Sequence, residues 1–267
     1  MSIHQAGEVH VWTAHPKDFD EAQWPGLAAW LVPFERFRAC SFRLEADRRA
    51  YILAHALRRL ALASALAVPP GEVSFSSEAS GKPVLTAPED PGIYFSHAHT
   101  RSLVVCAVTR IGPVGIDVES LDGAKAEMDL LGGFVELPAA QRRAIERGHD
   151  APRHFFIYWT LLEAYWKSRG TGLSFANPPI RCQKPGPGWF EVSPASGGAS
   201  LACVLATALN SPPDCVASLV LDGRRLAGEI NLAYHAPTFF RLDEQALKPP
   251  PDRAIPSSRP AAAALSM

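Results

Sequence analysis

Two short segments carry most of the chemistry this chain could do. Gly115-Ile116-Asp117-Val118-Glu119 sets two carboxylates at i and i+2, which a strand would project from one face. Trp159-Thr160-Leu161-Leu162-Glu163-Ala164-Tyr165-Trp166-Lys167 sets a carboxylate and an ammonium group four residues apart, just before Gly170-Thr171-Gly172-Leu173. On a helix Glu163 and Lys167 share a face, with Trp159 one turn below. Neighbouring carboxylates that are partly buried oppose each other's ionisation, and a divalent cation relieves that cost. Mg²⁺ takes few protein carboxylates and fills its octahedron with water and phosphate oxygens, so Glu163 is the natural third donor beside Asp117 and Glu119. Taken alone, Asp117 and Glu119 read first as the solvated end of a strand, and Glu163–Lys167 as a surface ion pair.

Other residues suit an anion. Ser96-His97-Ala98-His99 is expected in a polar loop between two strands, where a hydroxyl, loop amides and an imidazole can grip phosphate. A surface turn with incidental histidines is the plainer alternative, preferred for His99. Gly81-Lys82-Pro83 combines a flexible backbone, a cation and a rigid stop, though such a tripeptide is more often just a turn. Arg36, Arg38, Arg43, Arg48 and Arg49 cluster before and at the start of a long helix. Arginines there oppose the helix dipole, which favours an anionic ligand for some of them.

The elements that must position these groups follow from periodicity. Alternation predicts strands over Glu8–Ala14, Val73–Ser77, Ile93–Phe95, Leu103–Thr109 and Val114–Glu119. Leu53, Leu57 and Leu60 keep helical period within Glu45–Ala67, which Pro69-Pro70 stop. Pro138–Gly148 and Pro152–Arg169 read as helices, with Gly170 as the second one's C-cap. Ile180–Gln183, Trp189–Val192, Leu201–Ala208 and Cys215–Leu221 read as strands. The fold class expected is α+β, each half a helix packed on a small, mostly antiparallel sheet. Residues 1–112 form the N-terminal half and 113–246 the C-terminal half, with Gly112-Pro113 as hinge. The Pro- and Ala-rich segment 247–267 is expected to be disordered.

Composition bounds the function. A formal charge of −1 over 267 residues argues against wholesale attraction to nucleic acid or anionic membranes. Five scattered cysteines without a CxxC pair read as reduced thiols rather than a disulfide framework or zinc site. No stretch approaches a membrane span of about 20 apolar residues, and the N-terminus has no signal-type apolar core. A soluble, cytoplasmic monomer is expected.

The ordered set of Gly-Lys-Pro, Ser-His, Gly-Ile-Asp-Val-Glu, Trp-Thr-x-x-Glu-Ala-x-x-Lys and Gly-x-Gly-Leu closely resembles the 4′-phosphopantetheinyl transferases of the Sfp, or surfactin, type. The likeness runs from about Glu45 to Ser174. It implies a pseudo-dimer of two similar halves with coenzyme A in the cleft between them. It also implies transfer of the phosphopantetheine arm to a serine of an acyl or peptidyl carrier protein, releasing adenosine 3′,5′-bisphosphate. Carried over by position, Asp117, Glu119 and Glu163 look like the ligands of Mg²⁺, with Mn²⁺ as substitute. Lys167 looks like the cation on the diphosphate, Ser96 and His97 like the phosphate contacts, and Lys82 like the lysine near the nucleotide. One of Arg36, Arg38 and Arg43 is implied at the 3′-phosphate. Glu163 is the candidate base, directly or through water. Two positions depart from the family: Leu162 where a lysine is usual, and Ala140 where many relatives carry a glutamate that Glu136 could replace. Those departures keep two alternatives open, a non-catalytic relative that binds coenzyme A or carrier, and a metal-dependent diphosphate hydrolase.

Overall fold

The computed structural model describes residues 8–77, 81–122, 128–148, 150–186, 189–196, 203–205, 213–221 and 231–235. Its strands are β1 (Glu8–Ala14), β2 (Ser74–Ser77), β3 (Pro83–Ala87), β4 (Tyr94–His99), β5 (Val104–Thr109), β6 (Val114–Ser120), β7 (Val135–Glu136), β8 (Ile180–Gly186), β9 (Trp189–Pro194), β10 (Cys203–Leu205), β11 (Cys215–Leu221) and β12 (Asn231–His235). Its helices are α1 (Trp24–Ala29), α2 (Pro33–Cys40), α3 (Glu45–Leu66), α4 (Met128–Phe134), α5 (Ala139–Arg147) and α6 (Ala151–Arg169).

The strands form a four-stranded sheet ordered β12-β1-β5-β4, a six-stranded sheet ordered β6-β11-β10-β9-β8-β7, and a β2-β3 hairpin. Neighbours pair antiparallel except at one edge of each large sheet, where β12 joins β1 and β7 joins β8 in parallel. Each large sheet carries one long helix, in the α+β manner expected.

Strand alternation explains how the layers stack. In β5, Val104, Cys106 and Val108 pack with Leu53 and Leu57 of α3. Val105 and Ala107 of the same strand point the other way, into a cluster with Val114, Ile116 and Val118 of β6 and Ala217 and Leu219 of β11. Both faces of β5 are therefore covered, so it reads as a continuous apolar run. The intervening residues of β6 and β11 turn toward α6, whose Leu161, Leu162 and Tyr165 belong to a third cluster. The order of layers is α3, first sheet, second sheet, α6, and the two sheets meet face to face.

The structure differs from the expected elements at two places and adds a strand. Ser96 and His97 lie within β4, not in a loop, because β4 runs on to His99 and pairs with β5 throughout. The short apolar Ile93–Phe95 run understated the strand, whose polar residues sit at an edge. The arginine-bearing segment before the long helix is itself helical, as α2 contains Arg36 and Arg38. A strand from the far end of the sequence, β12, completes the first sheet. Residues 247–267 lie outside the described residues.

Candidate active site

The site begins with a close approach. A Cβ added to Gly115 would collide with the carbonyl oxygen of Ala164 and lie 2.7 Å from the backbone nitrogen of Ser168. Only glycine lets β6 lie this near α6. Beside this contact, the Thr160 and Ser218 hydroxyls share a hydrogen bond of 2.7 Å, pinning α6 to β11. The approach brings the Lys167 ammonium to the buried Asp117 carboxylate, where Nζ donates to Oδ1 at 2.5 Å. Lys167 thus pairs across elements with Asp117, whereas helical spacing alone pointed to Glu163.

Burial pushes the Asp117 carboxyl upward, against the opposing charge of Lys167. Burial, then the charges of Asp117 and Glu163, push Glu119 up to about 7. Glu163 is raised by burial and then by Asp117, while Lys167 and a hydrogen bond with Trp159 pull the other way. These three carboxylates therefore sense one another. Asp117 Oδ2 is buried and has no hydrogen-bond partner. Hard oxygen donors, mutual repulsion and an orphaned carboxylate oxygen suit a hard divalent cation. Among the described residues, no three His, Cys, Asp or Glu side chains stand close enough to enclose an ion. Lys167 occupies Asp117 Oδ1 and leaves Oδ2 as the open oxygen.

Next to this pair is a cleft of about 230 Å³ lined by Gly81, Lys82, Pro83, Phe95, Ser96, His97, Lys167, Gly170 and Gly172. It lies where β4, an edge strand of the first sheet, meets β6, an edge strand of the second. The Ile116 N–H of β6 donates to Ser96 Oγ at 3.1 Å, so that hydroxyl ties the edges together and can still donate its own proton. Burial, then the positive charge of Arg58, hold the His97 imidazole well below 6.5, so it is neutral near pH 7. Gly170 caps α6 in the left-handed region, and Gly172 also has positive φ. Four motifs separated by up to 91 positions thus share one wall-to-wall space.

Residues 113–212 match the model of the 4′-phosphopantetheinyl transferase superfamily, and residues 12–110 match that of the 4′-phosphopantetheinyl transferase N-terminal region. The chain is 34% identical over 177 residues to the 4′-phosphopantetheinyl transferase HetI of Nostoc sp., covering 62% of this chain and 70% of that protein. It belongs to the 4′-phosphopantetheinyl transferase superfamily.

Two further relatives are matched over shorter shares. A phosphopantetheinyl transferase of Thraustochytrium sp. is 32% identical over 161 residues, 56% of each chain. The 4′-phosphopantetheinyl transferase Sfp of Bacillus subtilis is 23% identical over 146 residues, 55% of this chain and 63% of that protein. The chain therefore spans under two thirds of these two relatives.

Against the superfamily pattern, several residues sit elsewhere than expected. Arg36 Nη1 donates to the Leu31 carbonyl and lines a separate groove beside α1 and α3. Arg38 lies over the Phe42 ring, Arg43 is exposed, and none of the three lines the cleft. Glu136 is engaged with Arg181 at 2.7 Å on the β7-β8 edge, outside the carboxylate group. Leu162 is fully buried among the α6 core residues, so an apolar side chain there completes packing. Ala140 lies in α5.

One cluster went unread in the sequence. Glu35 of α2 is buried and bonded to His55, Arg58 and Arg59 of α3 at 2.8, 2.9 and 2.8 Å. It also accepts from the Val32 N–H that opens its own helix. Arg58 and Arg59 stack over Phe75, and the His55 ring meets His97 edge-on at 6.0 Å. Glu35 lies 23 and 24 positions upstream of the two arginines, in a different helix, so no local period links them.

Proposed function

We propose that this chain transfers the 4′-phosphopantetheine arm of coenzyme A to a serine hydroxyl of an acyl or peptidyl carrier protein, releasing adenosine 3′,5′-bisphosphate. The observation that carries the reading is the cleft that gathers Gly81-Lys82-Pro83, Ser96-His97, Lys167 and the Gly170–Gly172 bend. Its walls offer two ammonium groups, a hydroxyl and a neutral imidazole, which together suit a diphosphate. The order of these motifs favours the Sfp type within the superfamily.

In this reading the carrier serine oxygen attacks the phosphorus bearing the pantetheine arm, and the bond to the nucleotide phosphate breaks. Lys167 balances negative charge on the phosphoryl oxygens, where charge grows as the leaving phosphate departs. Lys82 neutralises the nucleotide end. Ser96 and His97 donate hydrogen bonds that fix the diphosphate for in-line attack. Glu163 accepts the serine proton, directly or through water. Asp117, Glu119 and Glu163 would hold Mg²⁺, with Mn²⁺ as substitute, and the ion would supply Lewis-acid charge at the diphosphate. Asp117 Oδ2, which Lys167 does not occupy, would be the oxygen offered to that cation.

The test is incubation with apo carrier protein, coenzyme A and Mg²⁺, read by intact mass. A gain of one phosphopantetheine arm on the carrier serine supports the reading. Breakdown of coenzyme A without any carrier would indicate a diphosphate hydrolase, and binding without a mass gain a non-catalytic relative.

A further inference from the structure

The outer face of α2 has no role in the site just described, yet it has an unusual surface. Phe34 and Phe37 are 75% and 76% exposed, and Val32 ahead of them is 44% exposed. Spacing of i and i+3 puts both rings on one helical face. A single exposed apolar residue needs no explanation, but paired phenylalanines on an eight-residue helix form a patch that a solitary protein would be expected to cover.

Within the α2 segment itself the exposed charge has one sign, while Glu21 and Glu45 of the adjoining groove are engaged with Arg49 and Arg48. Between Val32 and Leu44 the acidic and basic side chains are Glu35, Arg36, Arg38 and Arg43. Glu35 is turned inward, buried and bonded to Arg58 and Arg59, so the acid of the segment is withdrawn from the surface. The next carboxylate along the chain, Glu45, is bridged to Arg48 and Arg49. A chain with formal charge −1 thus presents a locally basic rim around two aromatic rings. Such a rim complements an acidic surface and excludes another basic one.

The patch also connects to the cleft. Arg38 covers the Phe42 ring, Phe42 packs on Tyr51 at 5.3 Å, Tyr51 packs on His55 at 4.1 Å, and His55 meets His97 at 6.0 Å. His97 lines the cleft. This run of contacts links the C-terminal half of α2 to the cleft through α3.

We propose that the outer face of α2, with Phe34 and Phe37 at its centre and Arg38 and Arg43 at its rim, is a docking surface for the carrier protein. The inference rests on the carrier-directed transfer proposed above, and it requires a carrier surface with apolar side chains set among carboxylates. The aromatic rings supply buried anchors, and the arginines steer encounter.

Titration calorimetry with a purified apo acyl carrier protein and an apo peptidyl carrier domain, alongside intact-mass transfer assays, tests it. The expected result is that the wild-type chain binds at least one carrier and that F34S/F37S weakens that binding tenfold or more. Coenzyme A affinity and the thermal midpoint should stay unchanged, since both rings are exposed. Raising NaCl from 50 to 500 mM should weaken wild-type binding several-fold. Equal carrier affinity in wild type and F34S/F37S overturns the proposal, as does a wild-type chain that binds neither carrier. Sedimentation showing a wild-type dimer that F34S/F37S converts to monomer also overturns it, because a second copy would then cover the patch. A carrier that binds without gaining mass refutes the transfer reading alone, and F34S/F37S still decides the surface.

Discussion

Asp117 and Lys167, 50 positions apart in sequence, meet at 2.5 Å with the carboxylate buried and the ammonium partly open to the cleft. The pair joins β6 to α6, so it links the carboxylate group to the space where a diphosphate would lie. Removing either partner leaves the other in a less favourable setting.

Replacing Lys167 by Met should cost about 3 kcal/mol, the lower end of what removing one partner of a buried ion pair costs, since the ammonium group is partly exposed. Asp117→Asn combined with Lys167→Met should recover part of that stability, because no buried charge is then left unpaired. Transfer should be lost in Asp117→Asn, in Lys167→Met and in the double variant. Urea unfolding of the four proteins provides the cycle, and strict additivity of the two single effects would show that the pair is not coupled.

Gly115→Ala should be more damaging than its size suggests. The new methyl group meets backbone atoms of Ala164 and Ser168, which cannot rotate aside as a side chain would. Overpacking of this kind costs roughly 1–3 kcal/mol. Moving α6 also moves Lys167 and Glu163, so transfer should fall at least tenfold even at temperatures where the variant remains folded. A thermal scan and an intact-mass assay at 20 °C distinguish the two effects.

Divalent metal should stabilise the wild-type chain. Mg²⁺ at a hundredfold excess over its Kd would add about 2.7 kcal/mol by mass action. Glu163→Gln and Asp117→Asn should abolish that increment. Differential scanning fluorimetry with and without Mg²⁺ reads it independently of catalysis, and an equal rise in Glu163→Gln would refute the ligand assignment.

Stability should fall in acid through Glu35. Burial alone would raise this carboxyl, but its hydrogen bond with His55 and the charges of Arg59 and Arg58 bring it from 4.5 down to about 2. A depressed folded-state pKa contributes stability above the unfolded value and loses it as pH drops through the folded one. The window is therefore pH 4.5 to about 2, and the contribution is about 3 kcal/mol. Glu35→Gln should be destabilised near neutrality and should show a flatter decline over that window in pH-dependent urea unfolding.

Leu162→Lys, which installs the residue more usual in the family, should lower the thermal midpoint without raising transfer. Leu162 is fully buried, and an ammonium group there lacks both water and a counter-charge. A gain in transfer rate would show that the packing around this position can open toward the cleft.

Much of this arrangement was legible in the sequence. The spacing in Gly115–Glu119 placed Asp117 and Glu119 on one strand face because strands repeat every two residues. The spacing in Trp159–Lys167 placed Glu163 and Lys167 on one helical face for the equivalent reason. Local periodicity also fixed β1 and β11 at the bounds observed. Ser96 and His97 were misread as loop because an edge strand tolerates polar residues that mimic a turn. Glu35 was missed because its meaning depends on α2 folding back onto α3.

By itself the sequence determined the kinds of groups available, their faces on local elements and, through the order of five motifs, the family. Only the tertiary structure decided their partners. Lys167 bonds Asp117 rather than Glu163 because one glycine lets β6 approach α6, a contact between segments 49 positions apart that no local period encodes. The withdrawal of Arg36 from the cleft, and the burial of Glu35 beneath a basic aromatic surface, follow likewise from how α2 packs.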